Sequence, residues 1–554
     1  MQRLLYCSTT ITIDYQVYHH YSNDKELSAN MNLLDIISTL LALCLTRRAL
    51  AASGSDWRSR RIYQVMTDRF ARTDGSTTAA CETGDGDWCG GTWAGLINRL
   101  DYIQNMGFDA IWISPITAQL QGLTFDGAAY HGYWQTNINE VEEHFGTAQD
   151  LQNLAAELHS RGMYLMVDIV VNHFAWQGAP DTVDYSTFVP FDSASYYHSY
   201  CTNKYDPNDL TNLEQCWMGS TNVPLPDLKT EASNVSSVWN SWAAEIVSTY
   251  SIDGFRIDSI MEVNTGFWSS FQSSAGIYSL GEAYNADSDV VCGYQDYLPG
   301  VFNYAMYFPL ISAFSSTSGS MSNLADMINV VKAGGCADTS LLGTFSENHD
   351  QACRKHCNPR FAALNGDMAL AKNVVTFTML TDGIPVIYQG QEQHYNALGG
   401  SSTPYNREAV WLSGYNEEAD LYVLLQMLNA ARANAANQDS TYLTYQNYPI
   451  YTDSNVIAMR KGDMVTVLTN AGTSGSNHTL SLASGYDAGT EVTELVGCTT
   501  LTASDDGTLS VPMGAGLPKV YYPTASLGNG LCGVSGKRSI KTRSAKWRHH
   551  IEDV

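Results

Sequence analysis

The chain has 554 residues, a formal net charge of −26 and a sequence pI near 4.7. That much negative charge disfavours nucleic acid or an anionic membrane surface as a partner. Charged residues make up only 16% and aromatics 11%, which suits a folded protein handling a neutral polymer rather than a disordered acidic chain, and the length implies more than one domain.

In chain order, Leu33 to Leu45 is an apolar run too short to span a bilayer, followed by the small-residue pattern Ala49-Leu50-Ala51. We read residues 1–51 as an N-terminal extension plus a secretory signal beginning at about Met31, where translation is expected to start. The run carries Asp35 and is followed by Arg47-Arg48, both unusual in a signal; an internal core helix is the other reading. No segment reads as a transmembrane helix. From Arg61 onward strand-like and helix-like runs alternate. Ile62 to Met66 precedes a helical run from Trp93 to Met106; Phe108 to Pro115 precedes another from Ala148 to Arg161; Tyr164 to Val171 follows. Later strands are expected to end at Asp258, Glu282, Asp350 and Gln391. Regular β-then-α alternation over this length predicts a parallel (β/α)8 barrel, whose chemistry gathers at the C-terminal ends of its strands.

The alternation fails between His173 and about Leu228, a segment rich in Tyr, Asp, Asn and Pro and too long for an ordinary loop. After about Gln438 the pattern changes to short β-rich runs, Val456 to Arg460, Met464 to Thr469 and Val520 to Tyr522, which predict an antiparallel sandwich. The 12 cysteines suit an oxidising compartment, and Asn234 and Asn477 begin glycosylation sequons. Beyond Cys532 the chain turns basic, from Lys537-Arg538 to His549-His550. A solvated tail is the plain reading; cleavage at Lys537-Arg538 is the sharper one.

Three carboxylates stand out. In Asp253-Gly254-Phe255-Arg256-Ile257-Asp258 the period-two pattern reads as a buried strand. An ionised Asp258 there needs a partner or a wet cavity, and Arg256, on the same face, is the expected partner that holds it ionised. Glu282 follows the apolar run Ile277 to Gly281, and Asp350 closes Leu341 to His349. Three strand-end acids are raw material for acid–base and nucleophilic chemistry on a neutral substrate.

These motifs, D-G-F-R-I-D at 253–258, G-E-A at 281–283, E-N-H-D at 347–350 and the upstream D-I-V-V-N-H at 168–173, resemble in order and spacing those of the α-amylase family of glycoside hydrolases, the secreted fungal members above all. The likeness runs from about Ser55 to Cys532. It implies a catalytic barrel over 52–172 and 229–438, an excursion subdomain over 173–228, a C-terminal β-sandwich over 439–535 and a basic tail over 536–554. It implies Asp258 as nucleophile, Glu282 as general acid and base, and Asp350 as a holder of sugar hydroxyls. Arg256 would keep Asp258 charged; His131, Tyr133, Trp134, His173, His349 and Arg407 would contact sugar, Tyr133 by offering a stacking face. It further implies a calcium site from Asn172, Asp227 and the main-chain oxygens of Glu214 and Glu262, and disulfides Cys81–Cys89, Cys201–Cys216, Cys292–Cys336 and Cys498–Cys532. The expected protein is a secreted monomer that cleaves internal α-1,4 bonds of starch- or glycogen-type α-glucan with retention.

Three departures bear on that expectation. Met261-Glu262 stand where fungal members usually have Lys-His, so acceptor-side binding should differ, with Met261 offering apolar contact and Glu262 the opposite charge. Thr403 replaces the usual aspartate ahead of the sugar-binding arginine, which suggests weaker donor-side contacts. Residues 351–357, with Cys353 and Cys357, interrupt the usual passage from Asp350 to Asn358-Pro359-Arg360-Phe361. A true insertion there would displace Asp350 or form a lid, and a mistaken gene model is the favoured explanation. The alternatives are a 4-α-glucanotransferase acting on cell-wall α-glucan, motivated by Met261-Glu262, and an inactive glucan-binding protein.

Overall fold

The structure is a computed structural model that describes residues 52–350, 360–400, 403–528 and 530–533. The N-terminal extension and signal, the 351–357 insertion and the basic tail lie outside the described residues.

Eight parallel strands form the centre: β1 (Ile62–Val65), β2 (Ala110–Ile113), β3 (Tyr164–Ile169), β4 (Gly254–Ile257), β5 (Tyr278–Gly281), β6 (Gly300–Val301), β7 (Gly343–Thr344) and β8 (Ile384–Tyr388). They pair in the order β6-β5-β4-β3-β2-β1-β8-β7, and a parallel bridge from Phe302 to Gly343 joins the two ends, so the sheet closes into a barrel. Their short apolar runs, β1 and β2 among them, are buried throughout, as strands covered on both faces must be. Helices carry one apolar stripe onto the sheet. Ala148–Ser160, started by the Thr147/Asp150 capping box, buries Leu151, Leu154, Ala155 and Leu158; Ser233–Tyr250 buries Val235, Trp239, Trp242, Ala243 and Ile246.

Several expectations shift. The run from Trp93 to Met106 is two helices, Trp93–Ile97 and Leu100–Asn105, because Arg99 leaves the helical backbone and lays its guanidinium over Tyr415. The strand expected to end at Asp350 is only Gly343–Thr344. Beyond it Ser346, Glu347 and Asn348 turn their side chains to Gln391, Arg360 and Tyr304, and these bonds replace a strand ladder. β8 likewise stops at Tyr388, and Gln391 opens a 3-10 turn. The two-residue strand β6 and an antiparallel hairpin of Thr117–Gln119 with Gln135–Val141 are additions for which the sequence pattern offers no clear signal.

Between β3 and β4 the chain makes 3-10 turns, a short helix (Leu210–Gln215) and a small antiparallel pair, Met218–Gly219 with Pro224–Leu225. It is tied to the 117–141 hairpin by the Asn137–Val189 bridge. At the C-terminal end, strands β9 (Tyr448–Thr452), β10 (Val456–Lys461), β11 (Met464–Thr469), β12 (His478–Ala483), β13 (Glu491–Glu494), β14 (Thr499–Thr502), β15 (Thr508–Met513) and β16 (Lys519–Pro523) form an antiparallel sheet β9-β10-β11-β16-β13-β14 and the hairpin β12-β15. Val456, Val465 and Val467 of the sheet share a core with Leu482, Leu509 and Val511 of the hairpin. The four disulfides implied by the family resemblance are all formed. No helix among the described residues is long and apolar enough to cross a membrane.

Candidate active site

β3, β4 and β5 lie side by side, with Asp168 opposite Arg256 and Ile257 opposite Gly281. That register brings three acids around one cation. Arg256, only 2% exposed, reaches Asp168 and Asp258 from Nη1, both at 2.9 Å, and Glu282 from Nη2 at 2.5 Å. Asp258 and Glu282 each follow the last residue of a strand, as expected. The arginine, however, is shared by three carboxylates rather than devoted to Asp258.

Glu282 also accepts from the Tyr304 hydroxyl at 3.0 Å and, weakly, from the Ser259 main-chain N–H at 3.4 Å. Burial pushes its carboxyl up to about 7; Arg256 opposes this, while Asp258 and Asp350 add to it. One guanidinium cannot balance three buried negative charges, and burial pushes the Asp168 carboxyl up to about 7 as well, so a proton retained within the group relieves the excess.

Asp350 is reached past the end of β7 rather than at it. Burial alone would raise its carboxyl, but His349, Arg407 and Arg256 outweigh that and hold it well below the ordinary carboxylate range. His349 Nε2 lies 2.9 Å from one Asp350 oxygen and Arg407 Nη2 3.1 Å from the other. The Gln64 side-chain amide faces His349 Nδ1, which leaves Nε2–H for Asp350 and for the Tyr133 oxygen. Arg360 and the Phe361 N–H both return to Glu347, so the chain on either side of residues 351–359 is anchored and Asp350 keeps its partners. Asp350 is thus in place, while residues 351–357 themselves lie outside the described residues.

The 117–141 hairpin supplies the facing wall. His131 lies parallel to the Tyr133 ring at 5.7 Å and edge-on to Trp134 at 4.7 Å, and burial keeps its imidazole neutral by lowering its pKa. The Tyr133 ring also lies parallel to His349, and its hydroxyl donates to Asp168 at 2.7 Å. Half-buried Trp134 packs on Ala175, Val223 and Leu225 of the excursion. His173, neutral through burial, faces the Tyr133 carbonyl at 3.2 Å.

Asn172 and Asp227 meet where their segments pair: the Leu228 N–H donates to the Asn172 carbonyl and His173 bridges to Asp227. Asn172 Oδ1 and Asp227 Oδ1 are buried without a hydrogen-bond partner among the described residues. Glu214, in the helix Leu210–Gln215, packs against the turn Ile260–Glu262, and its carboxylate accepts from Asn264. Two orphan buried oxygens suit a hard cation, which takes six to eight oxygen ligands. No cluster of three or more His, Cys, Asp or Glu side chains able to hold a metal occurs among the described residues. Met261 is 6% exposed and packs into the core instead of offering open apolar contact. Glu262 is pushed up to about 8 by burial and by Glu282 and Asp258.

Asp168 is the residue that reading the sequence passes over, although it sits inside the D-I-V-V-N-H motif. It accepts from Arg256, from Tyr133 and from Trp112 Nε1 at 3.0 Å. A buried acid within a strand was its signal, the same signal that singles out Asp258.

A family model for the α-amylase catalytic domain matches residues 64–447, and one for α-amylase domain C matches residues 449–540. This chain belongs to the α-amylase family of glycoside hydrolases. It is 48% identical over 492 residues to α-amylase 2 of Schwanniomyces occidentalis, covering 88% of this chain and 94% of that protein. Its identity to α-amylase 1 of Lipomyces kononenkoae is 49% over 504 residues, covering 89% and 79%. Among solved structures, an α-amylase from Malbranchea cinnamomea superimposes with a TM-score of 0.83 at 51% identity, covering 87% of this chain and all of that one.

Asp168→Asn should therefore impair this family member. Removing one partner of a buried ion pair costs on the order of 3 kcal/mol. We expect a lower melting temperature by calorimetry and a fall in kcat on soluble starch of at least about 10²-fold, as expected for misplaced reacting groups. Parental kcat in the folded variant would mean Arg256 does not need Asp168.

Proposed function

We propose that this chain is a secreted, calcium-binding α-amylase that cleaves internal α-1,4 bonds of starch-type glucans with retention. The observation that carries this reading is the Arg256 fork, which holds Asp258 and Glu282 on its two nitrogens while burial keeps a proton on Glu282. Protonated Glu282 gives its proton to the leaving glycosidic oxygen as Asp258 attacks the anomeric carbon, forming a glycosyl-enzyme. Glu282, now a carboxylate, takes a proton from water, which releases the sugar with net retention. Asp350, held ionised, accepts hydrogen bonds from hydroxyls of the distorted sugar and faces its developing positive charge. His131, Tyr133, Trp134, His173, His349 and Arg407 line the donor-side sugars.

Asn172, Asp227 and the carbonyls of Glu214 and Glu262 would hold calcium, which pins the excursion to the barrel beside the cleft. The four disulfides support secretion, and the end of the helix Asp420–Gln438 supports a domain boundary shortly after residue 438, before the two family matches meet at 447–449. We read the molecule as a monomer.

The second reading, a 4-α-glucanotransferase, is favoured by Glu262, a carboxyl near Glu282 and Asp258 that burial pushes up to about 8, so that it stands there protonated at neutral pH rather than offering the expected charge. A product assay on maltooligosaccharides separates the two: shorter products alone indicate hydrolysis, and longer products as well indicate transfer. Absence of any product would indicate a binding protein.

Glu282→Gln and Asp258→Asn should each lower kcat by roughly 10³-fold or more while leaving glucan binding within a few-fold, since both remove chemistry rather than contacts. Turnover near the parental rate in either variant defeats the assignment. The pH profile carries its own expectation. With its carboxyl pushed up to about 7, Glu282 stays protonated through mildly acidic pH and loses that proton as pH rises through neutrality. The alkaline limb of kcat/KM should accordingly fall near pH 7; a limb near pH 4.5 to 5, where an ordinary glutamate titrates, would contradict it. For the ion, calcium at about 100 times its Kd should add about 2.7 kcal/mol of stability over chelated protein. The gain, read as a rise in melting temperature, should vanish in Asp227→Asn; an unchanged melting temperature in metal-free parental protein would remove the site.

A further inference from the structure

A second arginine organises the opposite wall of the cleft. Arg360 is fully buried, yet none of the chemistry above uses it. Its Nη1 donates to Glu347 Oε2 at 3.1 Å and to the Gln389 carbonyl at 2.8 Å. Its Nε and Nη2 converge on Glu408 Oε2 at 3.0 and 2.8 Å. Tyr388 lies against the guanidinium, 4.3 Å from ring centroid to Cζ. The remaining oxygens are taken too: Glu347 Oε1 accepts from the Phe361 N–H and Glu408 Oε1 from the Ala397 N–H.

Both glutamates stand beside sugar-facing residues. Glu347 lies two residues before His349 and three before Asp350; Glu408 directly follows Arg407. The two segments also touch further along: Arg407 Nε donates to the His349 carbonyl, Arg407 Nη2 to Asp350, and Asn406 Nδ2 to the Asn348 carbonyl. The segment 346–350 has no ladder to hold it, because β7 ends at Thr344. Its register against 406–408 must come from side chains. A rigid planar fork that grips one carboxylate from each segment supplies that register, which a lysine's single point charge does not.

We propose that Arg360 is a positioning residue that sets the Asp350–Arg407 pair by holding Glu347 and Glu408 on one guanidinium. The proposal rests on reading Asp350 and Arg407 as sugar-contacting residues. An Arg360→Gln variant whose near-UV circular dichroism stays native should lose about 10²-fold in kcat/KM on a maltooligosaccharide, the size of loss that a misplacement of about 1 Å produces. Arg360→Lys, which keeps the charge without the fork, should recover part of it. The deciding comparison is a double-mutant cycle. If Arg360 acts through Arg407, adding Arg360→Gln to Arg407→Gln should worsen kcat/KM by less than about threefold; independent support of the fold would multiply the two losses. Multiplying losses overturn the proposal, as does a folded Arg360→Gln variant within about threefold of the parent. Should Arg360→Gln fail to fold, Glu408→Gln takes its place in the same cycle, with the same outcomes. An Arg407→Gln variant without effect overturns the reading of Arg407 itself and this proposal with it. An impaired Arg407→Gln beside an unimpaired Arg360→Gln overturns this proposal alone.

Discussion

One guanidinium among three buried carboxylates is the constraint on which the rest of the cleft depends. Removing Arg256, Asp168, Asp258 and Glu282 from water is affordable only because each finds a partner in the group, and the group still carries more negative charge than positive. The imbalance is chemically useful. It favours keeping one proton within the group: burial pushes both Glu282 and Asp168 up to about 7, and the other oxygen of Glu282 receives a hydroxyl from Tyr304. The barrel makes the arrangement possible, since adjacent parallel strands in register present their last residues at the same height.

The opposite wall solves a different problem by related means. Segments 346–350 and 406–408 lie beyond their strands, where no backbone ladder determines their spacing. Side-chain bonds therefore fix it: Arg407 to Asp350 on the face toward the cleft, Arg360 to Glu347 and Glu408 behind. His349 and Tyr133 link the two walls, because the Tyr133 oxygen meets His349 while its hydroxyl proton goes to Asp168. A change behind either wall is thus transmitted to the groups that face the sugar.

The excursion and the cation site belong to the same economy of buried polar atoms. Asn172 directly follows β3's extension and Asp227 closes the excursion, and each holds one oxygen out of water with no hydrogen-bond donor among the described residues. Nearby, the turn Ile260–Glu262 begins at Ser259, whose left-handed backbone bends the chain sharply after Asp258. Asp258 and Glu262 are consequently within five residues of one another, so changes at 261–262 bear on the nucleophile candidate.

Much of this was legible in the chain. Period-two runs ending in Asp258 and Glu282, the β-then-α alternation and the four motifs sufficed for the barrel, the family and the principal acids, because strand burial and strand-end chemistry are local in sequence. Burying Met261 while leaving Glu262 near the acids, ending β7 at Thr344, and splitting the 93–106 helix at Arg99 were not local: each depends on what packs against the residue. The same holds for Asp168. Its isolated codeword says only that an acid lies in a strand; its weight comes from standing opposite Arg256 on the neighbouring strand. Sequence alone determined which residues could do the chemistry, since residue type and strand parity are written in the chain. Tertiary structure decided how many acids share one arginine, and therefore that the group favours keeping a proton, because charge balance in a low-dielectric cleft is a property of neighbours in space.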